Sequence, residues 1–215
     1  MTETVRNPRE RYRAQVREEI KRHAWQQIAS TGVTALSINA IAKEMGMSGP
    51  ALYRYYAGRD ELITALIRDA YRGLADAVRA AHEAGTTVVG LAGVIRRWAL
   101  SDPHRYLLIY GTPVPGYHAP GDITAISDEI LAVLLQVCGG PADEAPRTPF
   151  DLVLGMNRQW AAALPAPTPA VHRALSFWTR VQGVLSLELA GHFTPMGIDA
   201  GLLLAEEVAE LGSER

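Results

Sequence analysis

The sequence predicts an all-α protein, and three features support that fold class. Apolar side chains recur at helical spacing along the 215 residues, whereas the alternation expected of strands is sustained nowhere. Residues that cap helix N-termini, such as Asn7, Ser37 and Ser48, stand directly before these segments. Clusters of Pro and Gly separate the segments from one another. We therefore expect short helices near the N-terminus, followed by a longer helical body.

The N-terminal part contains three predicted helices before a long fourth one. The first begins at Pro8 and ends near Thr31, because Gly32 is a helix-stopping residue. The second begins after Ser37 and ends at Gly46. The apolar side of the second helix is formed by Ile38, Ile41, Ala42 and Met45. The third helix begins after Ser48 and continues up to Gly58, and the fourth covers about 60–84.

The rest of the chain reads as six further helices. They are predicted near 87–101, 103–110, 122–138, 149–164, 168–191 and 199–211. The longest break, 111–121, is too short for a flexible domain linker and is interpreted as a loop of the body. We expect two domains, one over 1–60 and one over 61–215.

Composition and charge limit the possible function classes. The chain is 48% hydrophobic and 20% charged, which is typical of a globular protein, and no apolar run approaches the roughly 20 residues that span a bilayer. The polar, arginine-rich N-terminus lacks the apolar region of a secretory signal, so we expect a cytoplasmic location. Cys138 is the only cysteine, which excludes an internal disulfide and favours a buried apolar thiol over a catalytic one.

Charge is divided unevenly along the chain. Residues 1–60 carry ten Lys or Arg and six Asp or Glu, whereas 61–215 carry eleven and seventeen. A basic head on an acidic body suggests that the head alone meets a polyanion. Enzyme signatures are missing: the sequence has no GxSxG, no phosphate-binding glycine loop and no HExxH, and no two histidines are spaced as helical metal ligands. We expect neither catalysis nor a metal or other cofactor.

Two capped helices joined at Gly46, Met47 and Ser48 form the pattern of a helix-turn-helix, whose second helix enters the major groove of DNA. If the third helix is regular, positions 49, 50, 53, 54 and 57 share one face, while Leu52 and Tyr56 point away from it. Small residues at 49 and 50 permit close approach to bases. Tyr53 and Arg54 offer a hydroxyl for phosphate and a fork for guanine.

The segment TALSINAIAKEMGMSGPALYRYYAGRDELITAL, 34–66, resembles the DNA-binding region of the tetracycline-repressor (TetR) family. The positions that match are Ile41, Ala42, Gly46, Ser48, Leu52, Tyr53, Tyr56, Leu62 and Leu66. FWTRVQGVLSLELAGHF, 177–193, is similar to the ligand-domain subgroup named for a Trp-His-Gly signature, with Gln182 in place of the His. The resemblance implies N-terminal DNA binding, a small-molecule pocket in the body and pairing of two subunits through the last long helices.

The predicted contacts with double-stranded operator DNA extend beyond the third helix. The full set is Thr34, Ser37, Ser48, Gly49, Pro50, Tyr53, Arg54, Tyr55 and Arg59. Thr34 and Ser37 are first of all turn and capping residues, and a phosphate contact would be a second use. For Arg59 the alternatives are a phosphate and a pair with Asp60 or Glu61. The arginines at 6, 9, 11 and 13 either contact DNA or solubilise the end of the chain.

The body is predicted to bind a small hydrophobic or aromatic effector and to form a homodimer. The effector contacts are Trp98, His104, Tyr106, Tyr110, Met156, Asn157, Trp160 and Phe177, although any single aromatic could simply fill the core. The entrance is placed at 111–121, with Tyr117 and His118. The segment 168–191 is apolar nearly all round, so it must be buried on more than one side, and we expect it to pair with its copy alongside 149–164.

The sequence therefore predicts an effector-responsive transcription repressor that binds a palindromic operator as a dimer. Two other interpretations stay open: a constitutive DNA-binding dimer without an effector, and a helical enzyme or carrier that retains the helix-turn-helix as an interaction module.

Overall fold

The computed structural model describes residues 7–112, 117, 120–139, 148–157 and 166–213, and these residues form helices and connecting turns only. The helices are α1 (Pro8–Thr31), α2 (Ile38–Glu44), α3 (Gly49–Leu52), α4 (Arg59–Glu83), α5 (Val88–Ser101), α6 (Pro103–Tyr110), α7 (Gly121–Cys138), α8 (Pro149–Met156), α9 (Thr168–Leu189) and α10 (Ala200–Ser213). Short 3-10 turns cover Val33–Ala35 and Thr194–Met196. The predicted all-α class is confirmed, and no described helix is long and apolar enough to cross a membrane.

The chain divides into two compact units. The first comprises Met1–Ala70 and His104–Pro120, and the second comprises Tyr71–Pro103 and Gly121–Arg215. The boundary between the units therefore falls inside α4. The predicted domain limits, 1–60 and 61–215, remain a prediction.

Local signals in the sequence set the ends of α1 and α2. The Asn7 side chain accepts a hydrogen bond from the Arg9 amide at 3.2 Å, and α1 ends at Gly32, which has a φ of +80°. The buried side of α1 consists of Val16, Ile20, Ala24 and Ile28, at spacings of four residues. The Ser37 side chain accepts from the Ala40 amide at 3.3 Å and so caps α2.

The third helix is shorter than the sequence predicts. Regular helix covers only Gly49–Leu52, Tyr53 is its C-cap, and the chain continues through turns up to Gly58. The prediction that it extends to residue 57 was wrong. Its N-terminal limit at Ser48 is correct, although the Ser48 side chain makes no capping hydrogen bond.

In the second unit, α9 carries the core. It packs against α5, α7, α8 and α10. Its buried side includes Ala174, Phe177, Val181 and Leu185. Cys138, at the end of α7, is buried as predicted, and burial raises the pKa of its thiol to about 12, which keeps it protonated and unreactive at neutral pH.

Candidate nucleic-acid interface

The segment from Ser48 to Arg54 has one exposed side and one buried side. Ser48, Pro50, Tyr53 and Arg54 are exposed, and 46% of Tyr53 is accessible to solvent. Leu52 is fully buried in the opposite direction. The side chains that could meet DNA are therefore separated from the one that fixes the helix to its own core.

The turn between α2 and α3 depends on close backbone approach. Gly46 has a φ of +65°, a conformation that an L side chain rarely adopts, and the Met47 amide donates to the Ala42 carbonyl at 2.8 Å. A Cβ added at Gly49 would lie 3.4 Å from Oδ1 of Asn39 on α2. Small residues here bring α3 against α2 and leave its outer side uncovered.

Two arginines of α1 hold the turns that follow α3. Arg17 donates from Nη2 to the Tyr55 carbonyl at 2.8 Å, and its guanidinium lies 4.7 Å from the centre of the Tyr56 ring. Arg13 reaches the Arg54 carbonyl at 3.4 Å. The sequence alone predicts no such role for Arg17 and places Arg13 in the N-terminal arm. No local sequence pattern predicts these bonds, because the acceptor carbonyls lie 38 residues from Arg17 and 41 residues from Arg13.

Tyr55 and Tyr56 occupy different environments. Tyr56 is 2% exposed, and burial raises the pKa of its hydroxyl, with the nearby cations Arg17 and Lys21 acting in the opposite direction. Tyr56 therefore belongs to the core of the basic N-terminal part, residues 1–60, which we call the head, as predicted. Tyr55 is half-buried.

Arg59 is bonded to main-chain carbonyls of the turn before α2. Its Nε donates to Leu36 O at 3.2 Å, and its Nη2 donates to Val33 O at 2.8 Å and to Thr34 O at 3.3 Å. Its Nη1 lies 3.6 Å from Oδ1 of Asp60. Of the two alternatives drawn from the sequence, the pair with Asp60 is present, and the carbonyl bonds were not foreseen.

Thr34 is the middle residue of this turn, and Ser37, the N-cap of α2, follows the turn. Thr34 is exposed, and Ser37 is half-buried. The Ser37 amide donates to Oε1 of Gln27 at 3.1 Å, which connects the turn to α1. The turn is thus tied to both α1 and α4, with Thr34 on its outer surface.

Comparison with known proteins identifies this arrangement. Residues 20–66 match the family model described as bacterial regulatory proteins of the tetR family, and 88–211 match the one described as tetracyclin repressor-like, C-terminal domain. The chain belongs to the TetR family of transcriptional regulators. The helix-turn-helix of α2 and α3 is accordingly its DNA-binding element, and the family points to a regulator and not to an enzyme.

Relatives of this TetR regulator cover nearly its full length. The HTH-type transcriptional regulators Rv1816 of Mycobacterium tuberculosis and Mb1846 of Mycobacterium bovis are each 34% identical, over 84% of this chain and 83% of their own. The crystal structure of SCO4313, described as a candidate regulatory protein, is 61% identical, with a TM-score of 0.88 over 95% of this chain and 98% of that one. A Rhodococcus sp. RHA1 protein of unknown function shares the fold, at 21% identity and a TM-score of 0.66 over 91% of this chain and 92% of that one.

The residues predicted to bind an effector fall in both units of the TetR chain. In the first, Tyr106 and Tyr110 of α6 lie with ring centres 5.5 Å apart, and burial raises the pKa of Tyr106. His104 is half-buried beside Arg105, whose guanidinium lies 5.5 Å from the centre of the Trp25 ring of α1.

In the second unit, Phe177 is fully buried, and a Cβ added at Gly73 of α4 would lie 3.4 Å from Nε1 of Trp98. Met156 and Asn157 stand at the exposed end of α8. Trp160 and His118 lie outside the described residues, as does Arg6 of the N-terminal arm. The described part of the chain contains no cluster of side chains that could hold a metal ion.

Proposed function

We propose that this TetR regulator is a repressor that binds a palindromic operator as a homodimer and releases it when a small effector binds. The observation that supports operator recognition is the exposed side of the segment from Ser48 to Arg54. The proposed DNA contacts are Thr34, Ser37, Ser48, Gly49, Pro50, Tyr53, Arg54 and Tyr55. Within this set, Tyr53 and Arg54 are the main determinants: both side chains are exposed, Tyr53 offers a hydroxyl for phosphate and Arg54 offers a fork for guanine.

The N-terminal turns of α1 supply an additional, sequence-independent contact in this proposal. Residues 7–15 are all exposed, and Arg9 and Arg11 extend from the head into solvent. Arginines on such a projection neutralise phosphates and release counterions. The affinity of the head for any duplex would therefore depend strongly on salt.

The proposed dimer uses α8 and α9. Four large apolar side chains of α8 are exposed on the single chain: Phe150, Leu152, Val153 and Met156. Leu187 and Gly183 of α9 are exposed as well, and a Cβ at Gly183 would meet nothing within 4 Å. An apolar helix surface of this kind is typical of a subunit interface, and two copies of α8 and α9 would form a four-helix bundle on a two-fold axis.

The proposed effector is apolar or aromatic. Most side chains predicted to contact it are aromatic or amphipathic, and within α6 the Tyr106 and Tyr110 rings are packed together. The assignment of the C-terminal part to the Trp-His-Gly subgroup and the domain limit at residue 60 are likewise proposals. A constitutive dimer that binds DNA without an effector is the second candidate, and it would share the head but show no response to metabolites.

Operator recognition is tested with duplexes selected from a random-sequence library by the wild-type protein. We expect an inverted repeat, with half-site centres about one helical turn or a multiple apart. Arg54→Ala should cost about 1–3 kcal/mol of binding free energy and relax the base preference. Arg97→Ala, which removes an exposed arginine of α5, is the matched control and should bind as the wild type. If a Tyr53→Ala, Arg54→Ala variant binds the selected duplex with wild-type affinity, the assigned recognition face is wrong.

The dimer and the effector require separate measurements. Leu152→Glu with Met156→Glu should give a sedimentation mass near the 23.3 kDa of one chain, whereas the control pair Met196→Glu with Leu202→Glu, also exposed apolar residues, should stay dimeric. Effectors are sought by tryptophan fluorescence with a panel of aromatic and aliphatic compounds. An inducer that acts equally on a folded Tyr110→Leu, Trp160→Leu variant would exclude the predicted contacts.

A further inference from the structure

We propose that Arg59 is a positioning residue of the DNA-binding head and not a phosphate contact. It would fix the turn that carries Thr34 and Ser37 to the first residue of α4, and so set the orientation in which α2 and α3 meet the duplex. The inference rests on the proposed operator recognition and adds a residue that controls it without touching DNA.

Most of the guanidinium donors of Arg59 are already used within the chain. An arginine has five N–H groups, and three of those on Arg59 are directed at main-chain carbonyls. Nε and Nη2 form one edge of the planar group, and this whole edge faces the turn. The two remaining N–H groups are on Nη1, which lies beside the Asp60 carboxylate at 3.6 Å. A phosphate on that side would meet the negative charge of Asp60.

The three carbonyls that accept from Arg59 belong to the turn that leads into α2. Val33 and Thr34 belong to the 3-10 turn, and Leu36 is its C-cap and is 3% exposed. Ser37, the N-cap of α2, follows directly. The turn has few bonds of its own: the Ala35 and Leu36 amides donate to Gly32 and Val33 at 3.3 Å each. Arg59 therefore supplies three hydrogen bonds to this turn, against these two that the turn makes internally.

The helix α2 is too short to fix its own direction. It has only 7 residues, too few for a helix that is stable by itself, so its direction depends on how its ends are attached. Arg59 attaches the N-terminal end through the turn, and the Gly46 turn joins the other end to α3. Without Arg59 the head would stay folded around its apolar core, but the turn and α2 would sample orientations that fit the operator less well.

The experiment compares Arg59→Gln and Arg59→Lys with wild type and with Arg97→Gln, which removes the same charge at an exposed site of α5 that has no proposed contact with DNA. Affinity is measured for the duplex selected by wild type and for a scrambled duplex over a range of salt concentrations. Thermal unfolding is recorded for each protein, and amide hydrogen exchange is followed at residues 33–37. All binding is measured where every variant is folded.

A positioning role predicts that both Arg59 variants lose about ten-fold or more in affinity for the selected duplex. Affinity for the scrambled duplex and the slope of log affinity against log salt should stay as in wild type, because no phosphate contact is lost. Arg59→Lys should not restore the affinity, since a single ammonium group cannot reproduce the three hydrogen bonds of the guanidinium. Amides of the turn should exchange faster in both variants.

Three results would overturn the proposal. A slope reduced by about 0.9 in Arg59→Gln and restored in Arg59→Lys would identify a phosphate contact. A lower unfolding temperature with an unchanged ratio of selected to scrambled affinity would indicate a purely structural residue. Unchanged hydrogen exchange at residues 33–37 would contradict the attachment of the turn by Arg59. If the wild type selected no sequence from the library, only the proposed operator recognition would be refuted. The hydrogen-exchange measurement would still test the attachment in that case.

Discussion

The DNA-binding head and the helical body are stabilised in different ways. In the head, α2 has 7 residues and α3 has 4, and arginine side chains bind the carbonyls of the turns beside them. In the body, α7 has 18 residues and α9 has 22, and each buries a continuous apolar side. Ion pairs between side chains also join helices of the body, as in Arg96 with Glu188. Arg173 and Arg180 of α9 donate to main-chain carbonyls as well, but these lie beside long helices that are already fixed by apolar packing.

The difference follows from helix length. A long amphipathic helix buries enough apolar surface to fix its own position, so its charged residues are left for the surface. A helix of one or two turns has many terminal backbone groups relative to its buried area, and those groups need side-chain partners. Some basic residues of such a head therefore form internal hydrogen bonds and are not available for DNA. Sequence composition does not distinguish these residues from those that are free to contact DNA.

The largest expected effect is on the body. Phe177 is the fully buried aromatic residue of α9, and Phe177→Ala should lower the free energy of unfolding by about 3–5 kcal/mol, because it removes apolar burial and leaves a cavity. Urea unfolding followed by circular dichroism measures the change. Phe177→Leu, which conserves more volume, is the control and should cost clearly less. A loss below about 1 kcal/mol for the Ala variant would mean that the body does not depend on this apolar packing.

The ion pair between α5 and α9 gives the next effect. Arg96 donates from Nε at 2.9 Å and from Nη2 at 2.6 Å to the Glu188 carboxylate, and these bonds raise the pKa of Arg96. Because both side chains are partly buried, Arg96→Gln should destabilise the chain by about 1–3 kcal/mol. The variant Arg96→Gln, Glu188→Gln should recover part of the loss. If the double variant is as unstable as the sum of the two single ones, the pair is not coupled.

The same contrast explains what the sequence could predict. The limits of α5, α6, α7 and α1 follow from local signals, namely apolar spacing, caps and Gly or Pro, and the predicted ends lie within one or two residues of those observed. The end of α3 was predicted too late, because the spacing of Tyr53 and Ala57 continues a helical pattern that the chain itself leaves at Tyr53. The bonds of Arg59 were missed because the carbonyl acceptors lie 23–26 residues away and every residue offers one.

Two serines at equivalent positions test how the head uses its polar residues. The Ser37 side chain caps α2, so Ser37→Ala should cost about 0.5–2 kcal/mol of stability. Ser48 precedes α3 without a side-chain capping bond, so Ser48→Ala should leave stability nearly unchanged and weaken binding of the selected duplex. Thermal unfolding and binding titrations of the two variants separate the roles. Equal destabilisation by both substitutions would show that the caps are not distinct.

The smallest effect is expected at the exposed pair of α4 and α7. Arg72 donates to both carboxylate oxygens of Glu129, and this hydrogen bonding lowers the pKa of Glu129. Both side chains are well exposed, so a double-mutant cycle with Arg72→Gln and Glu129→Gln should give a coupling of about 0–1 kcal/mol that decreases with added salt.

The direction of its pH dependence is fixed by the lowered pKa of Glu129. A carboxylate with a lower pKa in the folded state contributes its stabilisation above the unfolded value of about 4.3, and loses it as the pH falls through the folded value. We therefore expect the coupling to be constant from neutral pH to about pH 5 and to vanish on further acidification. Repeating the cycle by urea unfolding at several pH values measures this. Two results would contradict the view that the body depends on apolar packing and places its weakest ion pairs in solvent. One is a coupling between Arg72 and Glu129 that grows as the pH falls. The other is a coupling larger than the contribution of the partly buried Arg96 and Glu188 pair.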